Sequence, residues 1–363
     1  MRRIGIVICV IAFMLALSAG AALADPRSGT RTPYNTILDS VVVGGSTAAV
    51  AEVRNGDKTW QGSSGLAKAN GDQPPPATAN FRAGSITKTF TATVVLQLVG
   101  EGRLSLSDRV DHWLPGLLGD GSTITVKQLL QHTSGLPEYS ADMVDDAGIP
   151  KERYRTWSPR ELVEKAVRLP QDFPPGTRFE YSNTNYIVLG MLIEKVTGRP
   201  YGTEIEQRIL RPLGLAHTSL PGASPEVKAP HAHGYAAVRK NGELTRVDVT
   251  GFNPTIAGAA GEIISNAGDL NWFFRALLGG KLLRPGQLKE MKTPGPSGDY
   301  GLGLEMKRLP CGTVYGHTGK TPGYVTASFI SADGTRQITL STTPFPGDSG
   351  SAARALVKSA LCA

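Results

Sequence analysis

Hydrophobic and polar positions change their rhythm along the 363 residues of the chain. The first stretch is almost purely apolar, from Ile4 to about Leu17, behind Arg2 and Arg3 and ahead of Ala22-Leu23-Ala24. A charged start, a short apolar run and small residues at a cleavage site predict an export signal over residues 1–24. The run is short for a membrane span and carries Ser18 and Gly20 at its end, so no stable membrane anchor is expected. No cysteine follows the cleavage site, which argues against a lipid anchor.

After the signal, the β-branched groups Val41 to Gly44 and Ala48 to Val53 predict two strands of a hairpin. Three consecutive prolines within Gly71 to Ala77 predict a surface loop. The period then becomes helical. From Ser85 to Val99, Ile86, Phe90, Val94, Val95 and Leu98 repeat at the spacing of one helix, which Gly100 and Gly102 end. Further helices are predicted over 126–131, 159–167, 185–196 and 270–278, with Gly198-Arg199-Pro200 stopping the third of these. Strands return at 314–317, 324–331 and 336–342, and 350–361 reads as a closing helix. The fold class that follows is α/β. One sheet is built from both chain ends and flanked by helices, and a mostly helical second lobe leaves a cleft between.

Composition narrows the function classes. Hydrophobic residues at 40% and charged residues at 19% describe a globular protein rather than a disordered one. The formal charge of +7 falls when Arg2 and Arg3 leave with the signal. The remaining basic residues are scattered, so no nucleic-acid partner is expected. Of three cysteines, Cys9 leaves with the signal, and an oxidising destination favours a disulfide between Cys311 and Cys362. Their spacing fits no zinc pattern, and His231-Ala232-His233 lacks further ligands, so neither metal nor cofactor is expected.

Three short motifs carry candidate chemistry. In Ser85-Ile86-Thr87-Lys88 the first and last residues share one helix face, bringing an ammonium to a hydroxyl that needs a base to attack. Gly84 permits a tight turn into the helix, whose N–H groups suit an oxyanion. In Tyr181-Ser182-Asn183 a phenol can share a proton with a lysine, since their ordinary pKa values are roughly 10 and 10.4. Asn183 offers a donor and an acceptor to a peptide-like substrate. His317-Thr318-Gly319 ends a predicted strand, where glycine admits a second backbone. Read singly, each has a bland alternative: Ser85 as a helix cap, 181–184 as a turn, His317 as a core histidine.

Together the motifs resemble the serine β-lactamase and D,D-peptidase superfamily. The Tyr-x-Asn and His-Thr-Gly forms resemble the branch of class C β-lactamases, family-eight esterases and secreted D-alanyl-D-alanine carboxypeptidases of actinomycetes. Phe81 to Lys88, Val126 to Pro137, Pro175-Gly176 with Tyr181 to Tyr186, and Tyr300 to Leu304 carry the likeness, which runs from about Thr36 to Cys362. The resemblance implies one hydrolase domain over 25–363 and an acyl-enzyme at Ser85, with Lys88 and Tyr181 moving its proton. It implies an oxyanion hole from the Ser85 and Lys320 amides. Asn183 and Thr318 would hold substrate, and His317 would align the site. A secreted monomer acting on peptidoglycan stem peptides is expected, with β-lactams as acylating ligands. An esterase or β-lactamase acting on a small acyl substrate is the alternative, and a non-catalytic envelope-binding homologue is more remote.

One residue departs from the carboxypeptidase pattern. Where an arginine is expected to meet the substrate's terminal carboxylate, Glu305 follows Gly301-Leu302-Gly303-Leu304. Lys320 is the candidate replacement for that positive charge. His132, in His-Thr-Ser-Gly, reads as part of a structural turn.

Overall fold

The computed structural model describes residues 32–119 and 121–362. The expected signal over 1–24 lies outside them. Chain order runs α1 (Pro33–Val43), β1 (Ser46–Asn55), β2 (Lys58–Gly65), β3 (Phe81–Arg82), α2 (Thr87–Gly100), α3 (Val110–Trp113), α4 (Val126–Leu130), α5 (Pro159–Val167), α6 (Thr184–Thr197), α7 (Tyr201–Ile205) and α8 (Arg211–Leu213). It continues with β4 (Tyr235–Lys240), β5 (Glu243–Asp248), β6 (Ile264–Ser265), α9 (Ala267–Leu278), α10 (Pro285–Lys292), β7 (Glu305–Leu309), β8 (Gly312–Thr321), β9 (Tyr324–Ser331), β10 (Arg336–Pro344) and α11 (Ser349–Cys362).

The main sheet has the antiparallel order β2-β1-β10-β9-β8-β7. Its centre is the pairing of β1 with β10, from Ser46 opposite Pro344 to Asn55 opposite Arg336, so the two chain ends do build one sheet. Both strands are buried along nearly their whole length because both sheet faces are covered. On one face Leu38, Val41, Phe329, Ile338 and Leu356 join α1 and α11 to the strands. α9 packs on the other. Cys311 and Cys362 are bonded, fastening the end of α11 to the turn between β7 and β8.

The predicted hairpin is wrong in its first half. Val41 to Val43 end α1 rather than forming a strand. Pro33 opens this helix, and Asn35 Oδ1 accepts the Thr32 N–H at 2.9 Å. Leu38 and Val41 then share one buried face against α11, and that packing overrides the β-preference of three valines. The true partner of β1 is β2, whose Ser and Gly content hides it from a hydrophobic pattern. The helix expected from Ser85 begins as a 3₁₀ turn over Gly84–Ile86 and continues as α2. α2 is buried on almost all sides, so it is the spine of the helical lobe rather than a surface helix. Phe90 stacks on Phe273 of α9 with centroids 3.6 Å apart. α6 matches its prediction and ends at Gly198, whose φ of 73° is left-handed.

Candidate active site

The 3₁₀ turn that carries Ser85 is pressed against β8. A Cβ on Gly84, whose φ is +56°, would sit 2.8 Å from the Lys320 nitrogen. A Cβ on Gly319 would meet the Ala83 oxygen at 1.9 Å. Both glycines are required by this approach, and it brings the Ser85 and Lys320 amides to one place. Arg82, just upstream, is buried and braces the turn from behind: its guanidinium donates to the carbonyls of Thr250, Pro225 and Phe252.

One turn into α2, Lys88 is fully buried. Its Nζ donates to Ser85 Oγ at 3.0 Å, Asn183 Oδ1 at 2.7 Å and the Ala260 carbonyl at 2.8 Å. All three acceptors are uncharged, so burial dominates and drives the ammonium down to about 7, against the pull of Glu138 and Glu305. Lys88 can therefore release its proton near neutrality. Its Nζ lies 4.9 Å from the Tyr181 ring centre. Tyr181 is 38% exposed, yet it lines the cleft and its hydroxyl is hydrogen-bonded with Ser85. Burial raises that phenol above its ordinary value, and its hydrogen bond with Ser85 opposes the rise.

Asn183, just before α6, is oriented by a residue that the motifs did not reveal. Glu138 Oε2 accepts from the Asn183 amide nitrogen at 2.7 Å and from Nδ2 at 3.0 Å. With Oδ1 given to Lys88, Asn183 keeps one Nδ2 hydrogen for a substrate. Nothing in a single sequence marks Glu138, because the contact is between loops.

Behind these groups runs a chain of neutral aromatic donors and acceptors. His132 Nδ1 faces the Ser182 N–H at 3.2 Å and Asn185 Nδ2 at 3.1 Å, so it is the acceptor and Nε2 carries the hydrogen. Nε2 then reaches the Tyr300 hydroxyl at 3.3 Å, which donates to His317 Nε2 at 3.0 Å. His317 Nδ1 donates to the Thr318 carbonyl at 2.5 Å. Burial pushes both imidazoles below their ordinary value, which suits neutral partners. His132 has a φ of 56°, consistent with a turn, and its ring also stacks under Tyr181 at 4.2 Å.

Thr318 and Glu305 form the other wall. Glu305 Oε1 accepts the Thr318 N–H at 2.8 Å and its hydroxyl at 2.5 Å, and Lys307 Nζ lies 3.3 Å from Oε2. Burial alone would raise this carboxyl, but the neighbouring His317, then Lys307 and the two Thr318 donors, outweigh it and hold Glu305 below the ordinary range.

The cleft over Ser85 has a volume of about 500 Å³ and includes Tyr181, Tyr300, Glu305, Lys307 and Lys320 in its lining. Among the described residues, no arginine lines it. A larger cavity of about 730 Å³ lies among α5, α6 and α7 and shares no lining residue with this one. Ser85, Tyr181, Thr318 and Lys320 all line the smaller. Neither His231 nor His233 lines either cavity, and His233 Nδ1 pairs with Asp248 at 2.6 Å. Among the described residues, no group of three or more His, Cys, Asp or Glu is placed to hold a metal ion. Nor is any helix among them long and apolar enough to cross a membrane.

Known proteins agree with this geometry. The sequence profile named Beta-lactamase matches residues 39–361. A penicillin-binding protein of Bacillus subtilis (strain 168) is 28% identical over 318 residues, covering 83% of this chain and 68% of its own. Among solved structures, a D-stereospecific amidohydrolase from Streptomyces sp. superposes with a TM-score of 0.82 at 40% identity, covering 91% of this chain and 98% of its own. D-amino acid amidase from Ochrobactrum anthropi SV3, complexed with L-phenylalanine, does so with a TM-score of 0.78 at 27% identity, covering 90% and 96%. With a serine and a buried lysine in contact beneath the cleft, and with these relatives, the chain belongs to the β-lactamase family and is a serine hydrolase.

Proposed function

We propose that the protein is exported and forms an acyl-enzyme at Ser85 with D-configured aminoacyl or peptidyl amides and esters. The observation that carries this reading is Glu305, an ionised carboxylate in the wall of the Ser85 cleft. It disfavours the terminal carboxylate of a D-alanyl-D-alanine stem peptide. The likeness to a D-stereospecific amidohydrolase and a D-amino acid amidase supports the same substrate class.

In this mechanism neutral Lys88 takes the Ser85 proton as Oγ attacks the carbonyl carbon. The Ser85 and Lys320 N–H groups stabilise the resulting oxyanion. Collapse breaks the bond to the leaving nitrogen or oxygen, which receives a proton passed through Lys88 and Tyr181. Water then attacks the ester, gives its proton to the same pair and frees the acid and Ser85. Asn183 holds the acyl carbonyl with its remaining hydrogen, and the His132–Tyr300–His317 chain keeps the aromatic wall in place.

The test compares D- and L-phenylalaninamide, N-acyl-D-Ala-D-Ala and a chromogenic cephalosporin, with intact mass after benzylpenicillin. Preferred turnover of the D-amide supports the proposal, and preferred turnover of the D-Ala-D-Ala acid overturns it. The carboxypeptidase reading keeps support from Lys307 and Lys320, two cations on the same wall. A stable penicillin adduct lost in Ser85→Ala would identify β-lactams as acylating ligands under either reading. Export is tested by sequencing the N-terminus of the secreted protein, expected to begin at Asp25.

A further inference from the structure

A threonine hydroxyl has one proton to give and two lone pairs. In Thr318 that proton is committed. Glu305 is ionised and can only accept, so the 2.5 Å contact from Thr318 Oγ1 is a donation to Glu305 Oε1. The same oxygen takes the Thr318 N–H at 2.8 Å. His317 Nδ1, 3.4 Å from it, spends its hydrogen on the Thr318 carbonyl at 2.5 Å. Lys307, on the other carboxylate oxygen, is 45% exposed and does not reach the threonine. Thr318 therefore offers substrate lone pairs only. A carboxylate placed beside it would get no hydrogen from Thr318 and would meet the charge of Glu305, leaving only Lys307 and Lys320 on that wall to hold it, whereas an N–H group would find an acceptor.

We propose that Glu305 is a specificity-determining residue that turns Thr318 from donor into acceptor. The subsite along β8 beyond Ser85 then takes a primary amide or another N–H group in preference to a carboxylate. This rests on the reading that acyl transfer occurs at Ser85, and it deepens that reading by naming what the neighbouring subsite recognises.

The experiment uses a matched pair, N-acetyl-D-Ala-D-Ala amide and its free acid, which differ only at the terminal group. For each enzyme the ratio of kcat/KM for amide over acid is measured, so a general loss of activity or stability cancels. Where turnover is slow, the two peptides are compared as inhibitors of p-nitrophenyl ester hydrolysis. The wild type should prefer the amide by about 30-fold, within the range that one unmade buried hydrogen bond costs. Glu305→Gln keeps an oxygen for the Thr318 proton while removing the charge, so part of the preference, about 10-fold, should survive. Glu305→Ala frees the proton and should bring the ratio within about 3-fold of unity. Glu305→Arg supplies two donors and should reverse it.

The proposal is overturned if the wild type treats the pair alike, prefers the acid, or keeps its ratio in both the Ala and Arg variants. Failure of the broader reading looks different. A wild type that prefers the peptide amide yet does not distinguish D- from L-phenylalaninamide upholds the role of Glu305 and removes the D-amidase assignment. One that is D-selective but blind to the terminal group does the opposite.

Discussion

Lys88 and Glu305 are both largely withdrawn from solvent at one cleft, yet their charges fare differently. Lys88 gives its three hydrogens to a hydroxyl, a side-chain amide and a backbone carbonyl. These satisfy its geometry without replacing the solvation of a full charge, and its proton is loosened to about 7. Glu305 receives an N–H, an O–H and a neighbouring ammonium, and keeps its charge. Burial does not by itself decide ionisation; the partners do. One wall of the cleft is thus built to move a proton, and the other to hold one still on Thr318.

The comparison can be broken at either wall. Ser85→Ala should have the largest effect, lowering kcat/KM by about 10⁴-fold or more and abolishing the acyl adduct by intact mass. Lys88→Arg should follow, at about 10³-fold, because a guanidinium stays protonated in proteins and cannot serve as the base. In the wild type, kcat/KM should rise as pH increases through about 7, following loss of the Lys88 proton. Glu138 and Glu305 both favour the charged lysine. Neutralising either one should move that acidic limb to lower pH, Glu138→Gln further than Glu305→Gln. A limb that moves upward would show that Lys88 does not govern it.

The last effect is on stability. Because folding lowers the Lys88 pKa from 10.5 to about 7, the unfolded chain binds more protons between those values. Stability from this group therefore rises with pH across that window and is level below it. Thermal melts of the wild type and Lys88→Met should diverge accordingly, with the wild type gaining on the variant from pH 7 to pH 10.5. Parallel melting curves over that range would mean that the buried lysine is not strongly perturbed.

Much of the fold was legible where one period dominates a segment. α6, β9 and α11 lie close to where the pattern places them, because each is long and its apolar run is bounded by clear breakers or turns. Val41 to Val43 misled because propensity was read without the partner, α11, that makes the helix worthwhile. β7 escaped because its Glu, Lys and Arg residues belong to an exposed edge rather than to an alternating core strand. In the candidate site, Ser85 and Lys88 were legible because one helical turn joins them. The sequence also raised Glu305 as a departure, but not that it captures the Thr318 proton. Glu138 and the Ala260 carbonyl were not legible, since each acts across a tertiary contact with no local signature, and Tyr300, though it opens one of the stretches that carry the resemblance, gave no sign of its link between the two histidines.

The join between β1 and β10 also gives the site a timetable. The Ala48 amide and the Thr343 hydroxyl that it meets are separated by 295 positions. A ribosome releases the Ser85 turn long before it has made β8 to lie against it or β10 to close the sheet. Until then Ser85 has a lysine nearby but no Lys320 amide and no Thr318 wall. Long-range closure of this kind is slow to form. The groups that surround Ser85 are thus contributed from both ends of the chain, and the site exists only once the sheet that joins them is complete.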